Sequence, residues 1–190
     1  MTLLDLDARW RRFNDPDRAC PCCGQSFSGI FDIGFDHPDA WPYGERLGDS
    51  GDDLTVGEDR LGSDLCRLGP QRFVRCILPL PLRGSEEVFY FGVWASVAPE
   101  AFYAYLDASL GEEPAFEGCA GLLENALPGF DLPALTPGIL VPGGPGERPR
   151  LMAQADTPLA KAQADGISFD DLLDIYAASG QDIRPHLQKD

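Results

Sequence analysis

The sequence predicts a single α+β domain over residues 1–190: a mainly antiparallel sheet packed by helices from the C-terminal half, with a cysteine-containing turn near the N-terminus. Three observations predict it. Two neighbouring segments in the middle of the chain, RFVRCILPLPL and EVFYFGVWASV, have the composition and periodicity of strands. Segments with helical apolar spacing follow them. Ahead of both, CPCCGQSFSG places Gly24, a residue at ease in left-handed turns, directly behind Cys20, Cys22 and Cys23.

In the first strand Val74, Cys76, Leu78, Leu80 and Leu82 share one face by the two-residue period, while Arg72 and Arg75 are polar flanks. Pro79 and Pro81 have no N–H to give to a ladder, so the far end of this strand should lie at an edge or leave the sheet. The second strand is apolar on both parities, as expected for a strand covered on both faces. RGSE between them serves as a turn, and an antiparallel hairpin is the expected pairing.

The helices begin with PEAFYAYLDASLG, where Phe102, Tyr105, Leu106 and Leu110 repeat at helical spacing, Pro99 suits the first turn and Gly111 the exit. PAFEGCAGLLENALPG is read the same way, with Phe116, Cys119, Ala120, Leu123 and Leu127 on one side. RLMAQA adds an edge strand. Residues 157–178 form two short helices split by Gly166; Thr157 caps the first and Ser168 the second, with Asp171 completing a capping box and Ile167 and Leu172 spaced as a hydrophobic staple. Residues 36–64, DHPDAWPYGERLGDSGDDLTVGEDRLGSD, have the composition of a long acidic surface loop.

Thirty-one acids against fifteen bases give a formal charge of −16. Such a chain repels phosphate backbones and anionic lipid, which argues against direct nucleic-acid or membrane partners and permits a basic protein as partner. The opening, MTLLDLDARWRRF, lacks the basic-then-apolar order of a secretory signal, and no run of about 20 apolar residues occurs, so a cytoplasmic protein is expected. A chain of this length builds an adequate core without crosslinks. Reduced cytosolic cysteines are then core residues, metal ligands or redox groups.

Cys20, Cys23 and Gly24 form C-x-x-C-G, a spacing at which two thiolates face one cation over a tight turn. No second C-x-x-C follows, so further ligands of a zinc ion must arrive singly. Cys119 and Cys76 sit on apolar faces and read as small buried hydrophobes. His186 lies four residues from the end of the chain, where fraying is expected. Cys66 is left as the preferred third ligand and His37 as a weaker fourth. A thioredoxin-like role is disfavoured because the residues behind the pair favour a turn and strand rather than a helix. A turn with reduced thiols and no metal is the alternative to one structural zinc.

No Walker loop, dinucleotide fingerprint, G-x-S-x-G or H-E-x-x-H is present. Asp32, Asp36, His37 and Asp39, or Asp49, Asp52, Asp53, Glu58 and Asp59, have no metal-loop spacing and read as solvated acids. Trp41 and Tyr43, flanking Pro42 in the loop, either anchor a partner or fold back onto the sheet.

The order of CPCCGQ, DIGFDHPDAW, SDLC, RFVRCILPLPL, EVFYFGVWASV and TPLAKAQADGIS resembles domain-of-unknown-function family 2199, a bacterial family of uncharacterised proteins. By that resemblance Cys20, Cys23 and Gly24 match the family's C-x-x-C-G opening and residues 63–66 its S-D-L-C element. The acidic stretch GDSGDDLTVGED is longer than the family's usual connection, and Thr157 stands where similar proteins often have histidine. The expectation is a non-catalytic binding or interaction protein with an acidic surface; the alternative is a zinc-binding or thiol-dependent enzyme using the C-x-x-C-G cluster.

Overall fold

The computed structural model describes residues 2–21, 23–44, 53–154 and 156–187. Its elements run α1 (Ala8–Phe13), β1 (Ile33–Gly34), β2 (Leu54–Val56), β3 (Asp59–Leu61), β4 (Leu65–Leu68), β5 (Gln71–Pro81), β6 (Val88–Val97), α2 (Pro99–Ser109), β7 (Cys119–Leu123), β8 (Thr136–Val141), β9 (Arg150–Ala153), α3 (Pro158–Asp165) and α4 (Phe169–Ala178). Short 3-10 turns lie at Leu4–Leu6 and Arg184–Leu187.

The α+β expectation holds, with a closed sheet at its centre. β5 and β6 form the long hairpin, in register from Arg72 opposite Val97 to Pro81 opposite Val88. Antiparallel pairing continues through β7, β8 and β9, and β9 returns to β5. A meander of five strands brings its first and last strands together pointing the same way, so the closing pair is parallel, with Ile77 opposite Arg150. β4, β3 and β2 extend the sheet from the first part of β5, and the two-residue β1 lies parallel to β6.

Prolines are tolerated in β5 because of their parity. Arg75 donates its backbone N–H to Asp64 O and Ile77 donates to Pro149 O, so odd-numbered residues direct their peptide groups away from β6. Pro79 and Pro81 occupy that parity and cost β6 no hydrogen bond. On that edge their carbonyls accept instead from Gln163 Nε2 and from the Ile167 N–H.

The even face of β5 and the odd face of β6 enter the main core, which also takes in Trp10 and Phe13 of α1 and Phe169, Leu172 and Tyr176 of α4. The opposite face carries a second core of Trp41, Leu61, Cys66, Phe73 and Trp94. β6 is therefore covered on both sides, as its double parity implied. Tyr176 joins the layers: its ring stacks on Phe31 at 4.0 Å, and its hydroxyl donates to Phe31 O and accepts from Phe31 N.

The caps of α3 and α4 form as expected. Thr157 Oγ1 accepts from Ala160 N, and Ser168 and Asp171 make the reciprocal box. Three sequence expectations change. Residues 119–123 form strand β7 rather than helix: the buried positions alternate, and Gly121 sits where a Cβ would meet Leu140 Cδ1 at 2.7 Å. RLMAQA supplies β9, which is paired on both sides rather than at an edge. Within residues 36–64 the chain forms the β2–β3 hairpin and buries Trp41 and Leu61; residues 45–52 of that stretch, including Asp49 and Asp52, lie outside the described residues.

Candidate metal centre

The cysteine turn is built as its glycine implied. Cys20 N donates to Gln25 O and Gly24 N donates to Cys20 O, each at 2.8 Å, and Gly24 adopts φ 75°. The turn buries Cys20 and leaves Cys23 exposed.

The third group is His186. Its Nδ1 lies 3.3 Å from Cys20 Sγ and 3.4 Å from Cys23 Sγ, and the three donor atoms all fall within 4.8 Å of one another. The segment that carries His186 is fastened in place. Ile183 and Leu187 on either side of the histidine are buried, Arg12 Nη1 donates to Leu187 O at 2.7 Å, and the imidazole lies against Phe27 with ring centres 6.0 Å apart. The apolar positions Ile183 and Leu187, four residues apart, are the sequence signal that would have revealed this anchoring.

One ring nitrogen holds at most one proton or one lone pair, so it cannot satisfy two thiols at once by ordinary hydrogen bonding. A cation can meet all three. Tetrahedral zinc, with Zn–S near 2.3 Å and Zn–N near 2.0–2.1 Å, sets sulfur and nitrogen about 3.5 Å apart. The separations here are close to that value, and the soft sulfur and imidazole donors suit zinc better than calcium or magnesium.

The other sequence candidates are not brought to this place. Cys66 is fully buried in the second core, paired across the sheet with Leu61 and Phe73, and burial followed by the nearby Asp59 charge pushes its thiol up to about 12. His37 directs Nδ1 to Pro38 O at 2.9 Å. Burial likewise raises the thiols of Cys76 and Cys119. Cys22 lies outside the described residues.

The two aromatic candidates divide. Trp41 is 3% exposed and its indole donates to Gly44 O, so it folds back as a core residue. Tyr43 remains 43% exposed, packs edge-on against Trp41 and donates its hydroxyl to Asp59.

The loop acids mostly have structural employment. Asp32 accepts from Tyr90 N, and Asp39 accepts from Ala126 N and Asn125 Nδ2. Asp53 pairs with Arg60. Asn125, which sequence patterning did not single out, is the buried hub of this corner: its Oδ1 accepts from Trp94 N at 2.8 Å, and its Nδ2 donates to His37 O and Asp39 Oδ1.

A bacterial family described as uncharacterised proteins conserved in bacteria, DUF2199, matches residues 19–167. The chain belongs to that family. The DUF2199 match takes in Cys20 and Cys23 and stops short of His186, so the imidazole comes from a segment beyond the matched region. Neither the curated proteins nor the solved structures contain a match. Among the described residues no helix is long and apolar enough to cross a membrane.

Proposed function

We propose that this DUF2199 protein is a non-catalytic binding protein whose N-terminal turn is fastened to its C-terminal 3-10 turn by one structural zinc ion, held by Cys20, Cys23 and His186. The observation that carries the metal reading is the approach of two sulfurs to a single imidazole nitrogen. The donors come from opposite ends of the chain, so the ion acts as a clasp. Closing so long a loop removes more unfolded-chain entropy than closing a short one. Cys22, between the two cysteines in sequence, lies outside the described residues.

The binding half of the proposal rests on charge. A surface with 31 acids and 15 bases favours a basic protein partner, with association weakening as salt rises. The three described cysteines away from the turn have thiols raised by burial, which makes them poor nucleophiles. The exposed Cys23 beside His186 supports a second reading, a thiol-dependent enzyme using that pair, since an imidazole next to a thiol is the arrangement that activates it.

Elemental analysis of the purified protein tests the clasp. One zinc per chain is expected, falling sharply in C23S and H186A, with chelation lowering the melting temperature of the native protein and not of H186A. Metal-free protein whose melting is indifferent to added zinc would overturn it, and fast alkylation of Cys23 in that protein would favour the thiol reading. C22S distinguishes a site with two sulfurs from one with three. For the partner, failure of any basic protein to co-purify specifically at moderate salt counts against the charge reading.

A further inference from the structure

The sheet changes neighbours along the outer edge of β5. Arg75 N bonds to Asp64 O, just ahead of β4, and Ile77 N bonds to Pro149 O, just ahead of β9. β4 is antiparallel to β5 and β9 is parallel to it, so the two begin side by side and run away from each other. A cleft of about 1120 Å³ opens where they part, between residues 64–65, residues 142–149 and the stretch that closes α2 and follows it. It exceeds the roughly 300–1,000 Å³ usual for small-molecule pockets, which suits a length of chain better than a single metabolite.

Part of the lining is apolar. Leu65, Ile77, Tyr105 and Phe116 are half-buried there, the two rings edge-to-face with centres 5.2 Å apart. Burial, followed by the charge of Asp64, raises the Tyr105 hydroxyl, and among the described residues that hydroxyl makes no hydrogen bond. The rest is charge of one sign. Asp64, Glu112, Glu113 and Glu147 stand against Arg148 alone, and Arg148 is already paired with Asp64. Glu147 accepts from Gly144 N and has Arg150 at 3.5 Å. Glu112 and Glu113 are exposed beside the two rings, and among the described residues neither has a cationic partner.

We propose that this cleft receives a basic, arginine-containing segment of a partner protein, an inference that rests on the basic-partner reading above and locates it on the molecule. A guanidinium uses both parts of the lining. Its planar face stacks on aromatic rings, its apolar stem covers surface such as that of Leu65 and Ile77, and its fork of N–H donors matches carboxylates in pairs. Glu112 and Glu113 on an open surface would contribute little by themselves. Beside the rings they act on a cation that has shed part of its water, where attraction to an aromatic face is strongest. An acidic segment meets four carboxylates against one guanidinium and is repelled. The cleft shares no residue with the cysteine turn, so it is independent of the zinc clasp.

Fluorescence anisotropy of a labelled peptide alternating arginine with alanine, titrated with the full chain at physiological salt, tests it; the same peptide with citrulline for arginine is the uncharged control. Saturable binding of the arginine peptide alone is expected, with amide shifts confined to residues 64–77, 105–116 and 142–149. The exposed pair E112Q/E113Q should weaken it about fivefold, and Y105L, which removes a ring and keeps an apolar side chain, should weaken it measurably. E86Q/E87Q, in the turn between β5 and β6, removes the same charge outside the cleft and should leave the affinity within about twofold. Equal losses in the two double variants, or shifts spread over the acidic surface, would overturn the cleft and leave a basic partner standing. An arginine peptide that does not bind, or a citrulline peptide that binds as well, would also overturn the cleft, and co-purification then decides the partner reading separately.

Discussion

Replacing Asn125 with alanine removes the hub that fastens residues 37–39 to the central hairpin. Asn125 is 4% exposed, and its Oδ1 accepts from the Trp94 N–H, which lies within a fully buried residue. A buried donor left without an acceptor costs about 1–3 kcal/mol. The two acceptors of Nδ2, His37 O and Asp39 Oδ1, are only partly buried, so water replaces much of what they lose, at about 0.5 kcal/mol for the two together. The expected loss is about 2–3 kcal/mol, equivalent to a melting temperature lower by about 5–10 °C in a domain of this size. Urea unfolding followed by tryptophan fluorescence measures it, since Trp41 and Trp94 flank the hub.

The companion substitution N125D separates hydrogen bonding from shape. Its carboxylate still accepts from Trp94 N but faces Asp39 and is buried, so its folded-state pKa is raised above the unfolded value. The resulting destabilisation is present at neutral pH and disappears as pH falls below the unfolded carboxyl pKa of about 3.9. A loss under about 0.5 kcal/mol in N125A, or an N125D protein equally stable relative to the parent at both pH values, would refute the assignment of Asn125 as the fastening group.

S168A removes the hydroxyl that caps α4 and should cost about 1 kcal/mol by thermal melting, with S168T recovering most of it. Asp7 is held below the ordinary carboxyl value by its side-chain hydrogen bond to Arg9; Asp64, which burial alone would raise, is brought below it by Ser63 and Arg148. Their stabilisation is therefore present above the unfolded carboxyl value and lost as pH falls through the folded ones, and R148Q should shift the acid unfolding midpoint upward. In the native protein at pH 8, Cys66, Cys76 and Cys119 should react far more slowly with iodoacetamide than in urea, because burial raises all three thiols; mass spectrometry of modified peptides reads the difference.

β5 was legible because its apolar residues repeat with a period no helix shares, β6 because its apolar run on both parities follows a turn, and the caps of α3 and α4 because Thr157, Ser168 and Asp171 use local chemistry alone. Residues 114–127 were misread because Phe116, Cys119, Ala120, Leu123 and Leu127 satisfy helical spacing while Cys119, Gly121 and Leu123 also satisfy alternation. Gly118, with φ 97°, and Gly121 were the signs against a helix. Closure of the sheet was not legible at all, since it depends on β9 meeting β5 and no local pattern encodes that pairing. Half of the cysteine site could be read from Cys20, Cys23 and Gly24. The other half was missed: His186 reaches them through the burial of Ile183 and Leu187, whose four-residue spacing was the local sign, and the hydrogen bond from Arg12, which no local pattern encodes.

The parallel seam between β5 and β9 has a kinetic consequence. Every antiparallel pair in the closed sheet joins strands consecutive along the chain, and the β5–β6 ladder can zip outward from the short turn between Pro81 and Val88. Ile77 and Arg150 must instead find each other across three intervening strands and a helix, an encounter whose entropic penalty is met before any reward arrives. Closure should be the slow event of folding, and the Ile77 amide, which bonds to Pro149 across that seam, should exchange with deuterium sooner than the even-numbered amides of the same strand that face β6.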